Sequence, residues 1–259
     1  MLALQNAGLQ KELLKIIWPG VIIQTIKNTI KKLKYTIKKL LSLKKKIKNF
    51  DIIFIDDFSD DNSFKYIKKI SNKNSSIKIY KNKKKGLGPA ISEGILKSKS
   101  DFICIFMSDL SDDINDLVKY FKIIKKKNQD AVLGTRFSKK SKIINYPIFK
   151  LLLNRLANNF IKIIFFSNYN DFTNAFKIYK RKTLLKLFPI VSENFNVFLE
   201  LPLKIIIRRY SYSIIPINWN GRKYGTSKFK IKEIGSMYIF TLLYCFLEKL
   251  LLNKSIKKN

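Results

Sequence analysis

Five polar residues follow one short apolar run, and they carry the first chemistry in the chain. Ile52, Ile53, Phe54 and Ile55 are β-branched or aromatic, form a run too short for a helix, and read as a buried strand. Asp56, Asp57, Ser59, Asp60 and Asp61 come next, four carboxylates and a hydroxyl at the carboxyl end of that strand, where open α/β sheets bind ligands. Asp and Ser also favour the turn before a helix, so an N-cap is the plainer occupation for the same residues. A second acidic group, Asp109, Asp112 and Asp113, follows a second apolar run, Phe102 to Met107. If the two strands run in the same direction, both groups open on one edge as an acidic mouth. Such a mouth suits a divalent cation of the Mg2+ or Mn2+ kind, which prefers oxygen ligands and bridges to substrate phosphates.

Composition removes several other chemistries. The 259 residues contain no histidine, which excludes Ser/His/Asp and Cys/His catalysis. Cys104 and Cys245 both sit in apolar runs and read as small core residues, with no disulfide framework or zinc site implied. Lys and Arg number 52 against 18 Asp and Glu, a net charge of +34 that suits a polyanion or an anionic membrane. An AT-rich coding bias also produces such an excess, since Ile, Asn, Phe and Tyr are abundant while Gly and Pro are scarce. No nucleic-acid reading module is recognisable, so nucleic acid is not an expected partner. Lys11, Glu12 and Lys15 interrupt the start of the chain where a secretory signal needs an apolar core, and a cytoplasmic location is expected. The apolar stretch from Ile234 to Leu247 ends at Glu248 and Lys249, short of the roughly 20 residues a spanning helix needs, and suits lying on a membrane.

The elements that position these residues alternate. Val21 to Ile26 predicts a strand and Lys27 to Asn49 an amphipathic helix; Asp51 to Ile55 is the second strand and Asn62 to Ile70 the second helix. Ile77 to Tyr80 is a third strand, Gly86 to Lys97 opens a helix with Pro89 in its first turn, and Phe102 to Met107 is a fourth strand. Ile114 to Lys125 is helical, and Ala131 to Leu133 forms a fifth strand that exits through Gly134, Thr135 and Arg136. This β-α rhythm predicts a parallel sheet covered on both faces. Ile143 to Phe166 is apolar and basic, open to two readings, a core-packing helix or an amphipathic segment touching lipid. A strand at Ala175 to Tyr179, a helix from Arg181, a helix within Asn196 to Arg209, a strand at Ile214 to Trp219 and an apolar C-terminal helix follow. Gly86 and Gly88 make a weak dinucleotide fingerprint, because Ile91 stands where a third glycine is required.

Together these motifs resemble the family-2 glycosyltransferases of the GT-A fold, in particular the dolichyl-phosphate mannose synthase-like branch. IIFIDDFSDDNS (52–63) is similar to that family's strand followed by Asp-Asp-x-Ser-x-Asp, and KKGLGPAISEGILKSKSDFICIFMSDLSDD (84–113) to its Gly-rich helix, strand and metal-binding motif. AVLGTRF (131–137) resembles Gly-Ser-Arg-Tyr/Phe, DFTNAFKIYKRKTL (171–184) resembles Asp-x-Thr-Ser-Gly-Phe-Arg-x-Tyr, and INWNGRKYGTSKFK (217–230) resembles an Arg-x-x-Gly-x-Ser-Lys loop. The match covers roughly residues 50 to 230, in order. The resemblance implies a GT-A α/β fold over 1–233, with a mostly parallel central sheet and an apolar, basic helix and tail over 234–259. It implies a sugar transferred with inversion from a GDP- or UDP-linked donor to a polyprenyl phosphate at the inner face of the cytoplasmic membrane, where the protein sits peripherally.

For the residues, the resemblance implies donor contacts from Asp56, Asp57, Ser59, Asp61, Gly86 and Gly88, and Mg2+ or Mn2+ held by Asp109 with Asp112 and Asp113. Arg136, Arg222 and Lys228 are the candidates for phosphate, since a guanidinium fork matches phosphate geometry and lysine supplies a point charge. Asp171 and Thr173 are either substrate-binding or ordering a turn. Two departures stand out. Met107 replaces the first carboxylate of the usual Asp-x-Asp, and Gln24, Ile26, Lys27 and Asn28 stand where the family has Pro, Tyr, Asn and Glu. A phosphate acceptor is already an anion and needs no protein base; for a hydroxyl acceptor, Asp112, Asp113, Glu193 or Glu200 would have to serve. Transfer to a glycan hydroxyl, and an inactive descendant that binds lipid or a protein partner, are the alternative readings.

Overall fold

The computed structural model describes residues 17–26, 30–107, 111–221 and 231–255. In chain order its strands are β1 (Ile17–Ile26), β2 (Lys48–Asp56), β3 (Ile77–Lys81), β4 (Phe102–Ile105), β5 (Ala131–Thr135), β6 (Ile143–Ile144), β7 (Lys177–Lys180), β8 (Tyr212–Pro216) and β9 (Trp219–Asn220). The helices are α1 (Ile30–Ser42), α2 (Ser63–Ser71), α3 (Leu87–Lys97), α4 (Asp116–Lys126), α5 (Ile148–Ile164), α6 (Arg181–Lys186), α7 (Val197–Ile207) and α8 (Ile231–Ser255). The run Ile52 to Ile55 is continuously apolar because β2 is covered on both faces. Ile53 and Ile55 enter a core shared with α3 and α7, while Ile52 and Phe54 enter one shared with α1, α2 and α4.

Seven strands form the main sheet in the order β3-β2-β1-β4-β7-β5-β8, with β6 and β9 paired apart from it. β1 pairs parallel to both β2 and β4, so the two acidic groups of the sequence do leave strands that run the same way. The parallel rhythm fails at one place. β7 lies antiparallel between β4 and β5, with Lys177 opposite both Ile105 and Leu133. After β5 the chain stays at the carboxyl edge through α5 and re-enters the sheet from that same edge, which reverses β7. The carboxyl ends of β1, β2, β4, β5 and β8 and the amino end of β7 therefore share one edge.

Several boundaries also differ. The strand expected from Ile214 to Trp219 is two strands, because the chain leaves the sheet after Pro216 and joins β6 at Trp219. The first helix ends at Ser42, where a 3-10 turn (Leu43–Lys45) leads into a longer β2. The segment 143–166 holds a short strand and α5, which buries Asn158 and Ile161 while leaving most of its apolar residues exposed. The apolar stretch expected to be too short to span a membrane lies in the 25-residue α8, whose Gly235–Leu252 is long and apolar enough to cross one by length and composition; its Cys245 is nonetheless buried, and Tyr238, Leu242 and Tyr244 pack beside it against the core that contains α7. Cys104 is likewise buried in the sheet.

Candidate functional site

The edge is built from residues upward, starting with two neighbouring carboxylates that do different work. Asp57 Oδ1 accepts hydrogen bonds from the Gly86 amide at 2.8 Å and from Asn82 Nδ2 at 2.9 Å. It therefore holds the glycine turn to the end of β2. Asp56 is equally buried, yet its Oδ1 has no hydrogen-bond partner among the described residues. A buried acceptor left unpaired is costly, so such an oxygen is the expected mark of a ligand's N–H or O–H.

Gly86 and Gly88 are occupied inside the protein. Gly86 has φ +132°, and a Cβ there would stand 2.6 Å from Glu193 O; at Gly88 it would stand 1.7 Å from Ser192 O. The smallness of both residues lets the turn press against the 192–193 backbone, and the Gly88 amide donates to Glu193 O at 3.0 Å. Asp61 Oδ1 accepts from the Ser63 amide at 2.9 Å, the plain turn-forming role at the start of α2, and Ser59 is half-buried beside it in sequence. Asp113 Oδ1 likewise accepts from the Asn115 backbone at 2.9 Å and from its side chain at 3.0 Å, just before α4. Asp112 is buried, and its backbone bridges to Trp219.

Where β5 and β7 adjoin, the edge carries an ion pair. Arg136, one residue past β5, donates from Nη2 to Asp171 Oδ1 at 2.6 Å and from Nε to Asp171 Oδ2 at 2.9 Å, and its amide donates to Oδ2 at 2.7 Å. Thr173 Oγ1 accepts a further bond from Nη2 at 3.2 Å. Asp171 and Thr173 thus order a loop and hold the guanidinium at once. Among the described residues Nη1 carries no hydrogen bond. The rings of Phe137, Tyr146 and Trp219 lie 5.4 to 5.9 Å from the guanidinium carbon. Burial alone would lower the Arg136 pKa, but Asp171, with smaller help from Tyr146 and Asp112, raises it above the ordinary value. The group is a permanent cation at the sheet edge.

Lys177 lies behind this pair, fully buried, donating to Phe172 O at 3.1 Å, to Phe198 O at 3.3 Å and to Asn174 O. Sequence reasoning missed it, along with Asn82, Tyr146, Asn154, Asn158 and Trp219. In so lysine- and asparagine-rich a chain, residue type alone does not distinguish a buried one. Glu200, a candidate base from sequence, is corrected by the structure. It is fully buried, paired with Lys204 at 2.6 Å, and accepts the Val191 and Ser192 amides at 3.0 and 2.8 Å. Glu193 is exposed and paired with Lys84 at 2.6 Å.

Asp109, Arg222, Lys228, Lys27 and Asn28 lie outside the described residues, while Gln24 and Ile26 belong to β1 and Met107 follows β4, half-buried. Among the described residues no three carboxylates or thiols gather as a metal cluster.

The sequence pattern of the family described as glycosyl transferase family 2 matches residues 21–188. The chain belongs to this family. Its sheet edge lies within or just beyond the matched span. A dolichol-phosphate mannosyltransferase of Pyrococcus furiosus is 26% identical over 191 residues, covering 72% of this chain and 52% of that protein. A polyprenol monophosphomannose synthase of Mycolicibacterium smegmatis is 25% identical over 118 residues, covering 41% of this chain and 44% of the relative. The family-2 chain thus spans about half the length of the curated relatives it matches.

Among solved structures, glucosyl-3-phosphoglycerate synthase of Mycobacterium tuberculosis, in complex with Mn2+, uridine diphosphate and glucosyl-3-phosphoglycerate, aligns with a TM-score of 0.60. The alignment covers 88% of this chain and 80% of that one at 16% identity. The same enzyme with Mg2+ and uridine diphosphate also aligns at 0.60, covering 88% and 79% at 16% identity. At that identity the likeness is one of fold, and the fold is the GT-A-type glycosyltransferase α/β fold that the motifs imply.

Proposed function

We propose that this family-2 chain moves a sugar from a nucleotide-sugar to a polyprenyl phosphate. The observation that carries the reading is Arg136, a permanent cation held by its Nε and Nη2 with Nη1 left for an anion, on the same sheet edge as the carboxyl ends of β2 and β4. The names of the two curated relatives, a dolichol-phosphate mannosyltransferase and a polyprenol monophosphomannose synthase, support the acceptor class.

In this reading the unpaired Asp56 Oδ1 receives an N–H or O–H of the nucleoside, and Asp57 keeps the glycine turn of Gly86 and Gly88 in place beneath it, with Ser59 and Asp61 ordering the loop between. Carboxylate oxygens are the donor type that Mg2+ or Mn2+ takes, and Asp109 with Asp112 would hold the ion, Asp113 being committed to Asn115. Bound there, the ion supplies charge neutralisation to the departing diphosphate. Arg222 and Lys228 add positive charge to the same leaving group, and Arg136, steadied by Asp171 and Thr173, faces phosphate.

Transfer is a single displacement with inversion. An acceptor phosphate oxygen bonds the anomeric carbon as the bond to the nucleoside diphosphate breaks, and the electron pair leaves with the diphosphate. The nucleophile is already an anion, so no proton has to be removed, which agrees with a chain that lacks histidine. A hydroxyl acceptor is less well served, since Glu200 is locked by Lys204 and Glu193 is engaged with Lys84. The protein would sit peripherally on the inner face of the cytoplasmic membrane, its exposed apolar helices against lipid.

Calorimetric titration with GDP and UDP, with and without Mn2+, in moderate salt, tests the donor half. Mass spectrometry of a short polyprenyl phosphate incubated with the matching nucleotide-sugar tests the acceptor half. Metal-dependent binding that is lost in Asp109→Ala, together with a sugar-loaded lipid, is the expected result. Absence of binding to either nucleotide would instead favour an inactive descendant, the reading that the replaced Pro, Tyr, Asn and Glu at Gln24, Ile26, Lys27 and Asn28 support.

A further inference from the structure

Helix α5 has two chemically different faces. Outward it presents Ile148, Phe149, Leu152, Leu156, Phe160 and Ile163, with Ile148 84% and Ile163 70% exposed. Lys150, Arg155 and Lys162 are exposed among them, and the helix contains no carboxylate. Inward it presents Asn154 and Asn158, one turn apart on the same stripe. Asn is a poor helix former, so a pair of them facing in points to partners rather than propensity.

Those partners belong to the arginine site. Thr173 Oγ1 donates to Asn154 Oδ1 at 3.0 Å, Asn154 Nδ2 donates to Tyr146 OH at 2.8 Å, and the Phe172 amide donates to Asn158 Oδ1 at 2.6 Å. Asn158 Nδ2 closes the ladder on Asn154 O at 2.8 Å. Thr173 Oγ1 also accepts from Arg136 Nη2. Two hydrogen bonds thus separate a helix with an apolar outer face from the guanidinium.

We infer that α5 docks on an anionic bilayer, and that Asn154 and Asn158 are positioning residues which carry this docking to Arg136. The inference rests on the proposed polyprenyl-phosphate reading and deepens it, because it makes the bilayer surface itself part of the acceptor site's geometry. The occupant follows from charge. A second copy would bring the same cations face to face in a chain of net charge +34, whereas anionic headgroups complement them while the apolar stripe enters the acyl boundary. The face also continues into α8, whose Phe246 meets Phe165 at 6.5 Å and whose Lys249 donates to Ile164 O at 3.3 Å. Beyond that junction Leu243, Leu247 and Leu251 of α8 are exposed as well.

Flotation of the full chain with phosphatidylcholine vesicles, and with vesicles containing phosphatidylglycerol, reads the docking. Binding to the anionic vesicles should fall at least tenfold in Leu152→Ser/Leu156→Ser, whose altered side chains are exposed. In a Trp18→Phe background, Trp219 remains as a reporter, its ring 5.9 Å from the Arg136 guanidinium carbon and 4.8 Å from the Tyr146 ring. Its emission should change when anionic vesicles are added. Asn154→Ala and Asn158→Ala should still float with the vesicles but lose that change; should Asn158→Ala fail to fold by circular dichroism, the half-buried Asn154 carries the test. Undiminished vesicle binding in the double Leu variant, an unaltered Trp219 response in Asn154→Ala, or self-association by light scattering in place of vesicle binding would each overturn the inference. Neither readout needs sugar transfer, so a failure of the enzymatic reading is registered separately by the nucleotide titration.

Discussion

Asp171 takes the Arg136 guanidinium by its edge, with Nε on one carboxylate oxygen at 2.9 Å and Nη2 on the other at 2.6 Å, and neither partner is open to solvent. The pair fixes which nitrogen faces the sheet edge. Removing one partner of a buried pair leaves an uncompensated charge, which costs about 3–5 kcal/mol. Asp171→Ala is expected to lose that much in urea unfolding. Arg136→Lys keeps the charge but cannot make both bonds, so it should retain most of the stability of the wild type while losing acceptor transfer. Equal losses of stability in both variants would remove the distinction between a structural and a phosphate-facing role.

Gly88 sets how closely the turn before α3 approaches the 192–193 backbone. A Cβ at that position meets Ser192 O at 1.7 Å, and the carbonyl belongs to backbone held by Glu200 through the Ser192 amide. Neither side can yield cheaply, and overpacking of this kind costs about 1–3 kcal/mol. Gly88→Ala should lower the melting temperature by roughly 2–12 °C, taking about 2–4 °C per kcal/mol for a chain of this size. Because Asp57 ties the same turn to β2, nucleotide affinity should fall with it, which calorimetry on the variant would show.

Much of this architecture was legible in residue patterns. The apolar runs at Ile52 to Ile55 and Phe102 to Met107 marked central strands, the second ending at Ile105, because both faces of the sheet are covered there, and Asp56 stood at the edge that the strand direction dictates. The reversal of β7 was not legible, since the short, largely apolar run at 175–179 reports a strand without its direction. The packing of Gly86 and Gly88 was not legible either, because a glycine shows only that a Cβ is unwelcome; the neighbour that excludes it, Ser192–Glu193, is about a hundred residues away. The arginine site was found through its motif. Its supports, Lys177 on three carbonyls and Asn154 and Asn158 on α5, carry residue types the chain uses everywhere, and only burial separates them from the rest.

Lys177 ties stability to pH. Its burial pushes the ammonium pKa from the ordinary 10.5 down to about 7, with Asp171 and Asp112 opposing the shift, Arg136 adding to it and the Tyr169 ring alongside. Between those values the unfolded chain holds a proton that the folded chain has released. Stability contributed by this group therefore rises with pH over that window, by up to about 1.4 kcal/mol per pH unit, and the penalty is fully present below it. Urea midpoints taken at about pH 6, 7.5 and 9 should climb for the wild type relative to Lys177→Met, in which that proton is absent. Parallel curves would show that the three carbonyls keep the ammonium charged throughout.

Asp56 offers the sharpest separation of folding from function. Its Oδ1 is buried at the carboxyl end of β2 without a hydrogen-bond partner among the described residues, while Oδ1 of the neighbouring Asp57 is engaged with Asn82 and Gly86. An unpaired buried oxygen weakens the ligand-free protein by about 1–3 kcal/mol. Asp56→Asn removes the charge at nearly constant volume, so the ligand-free variant should melt at the same temperature as the wild type or higher. On the proposed reading the same change puts an NH2 donor or a weaker acceptor opposite the nucleoside, and nucleotide affinity should drop by at least tenfold, equivalent to about 1.4 kcal/mol. Asp57→Asn should behave in the opposite sense, losing stability because the Gly86 amide loses a charged acceptor, with nucleotide binding reduced only as far as the turn loosens. Melting curves and nucleotide titrations on the two variants test the division directly. If Asp56→Asn binds nucleotide as the wild type does, the unpaired oxygen is a defect of the fold and the donor must be held elsewhere along the edge.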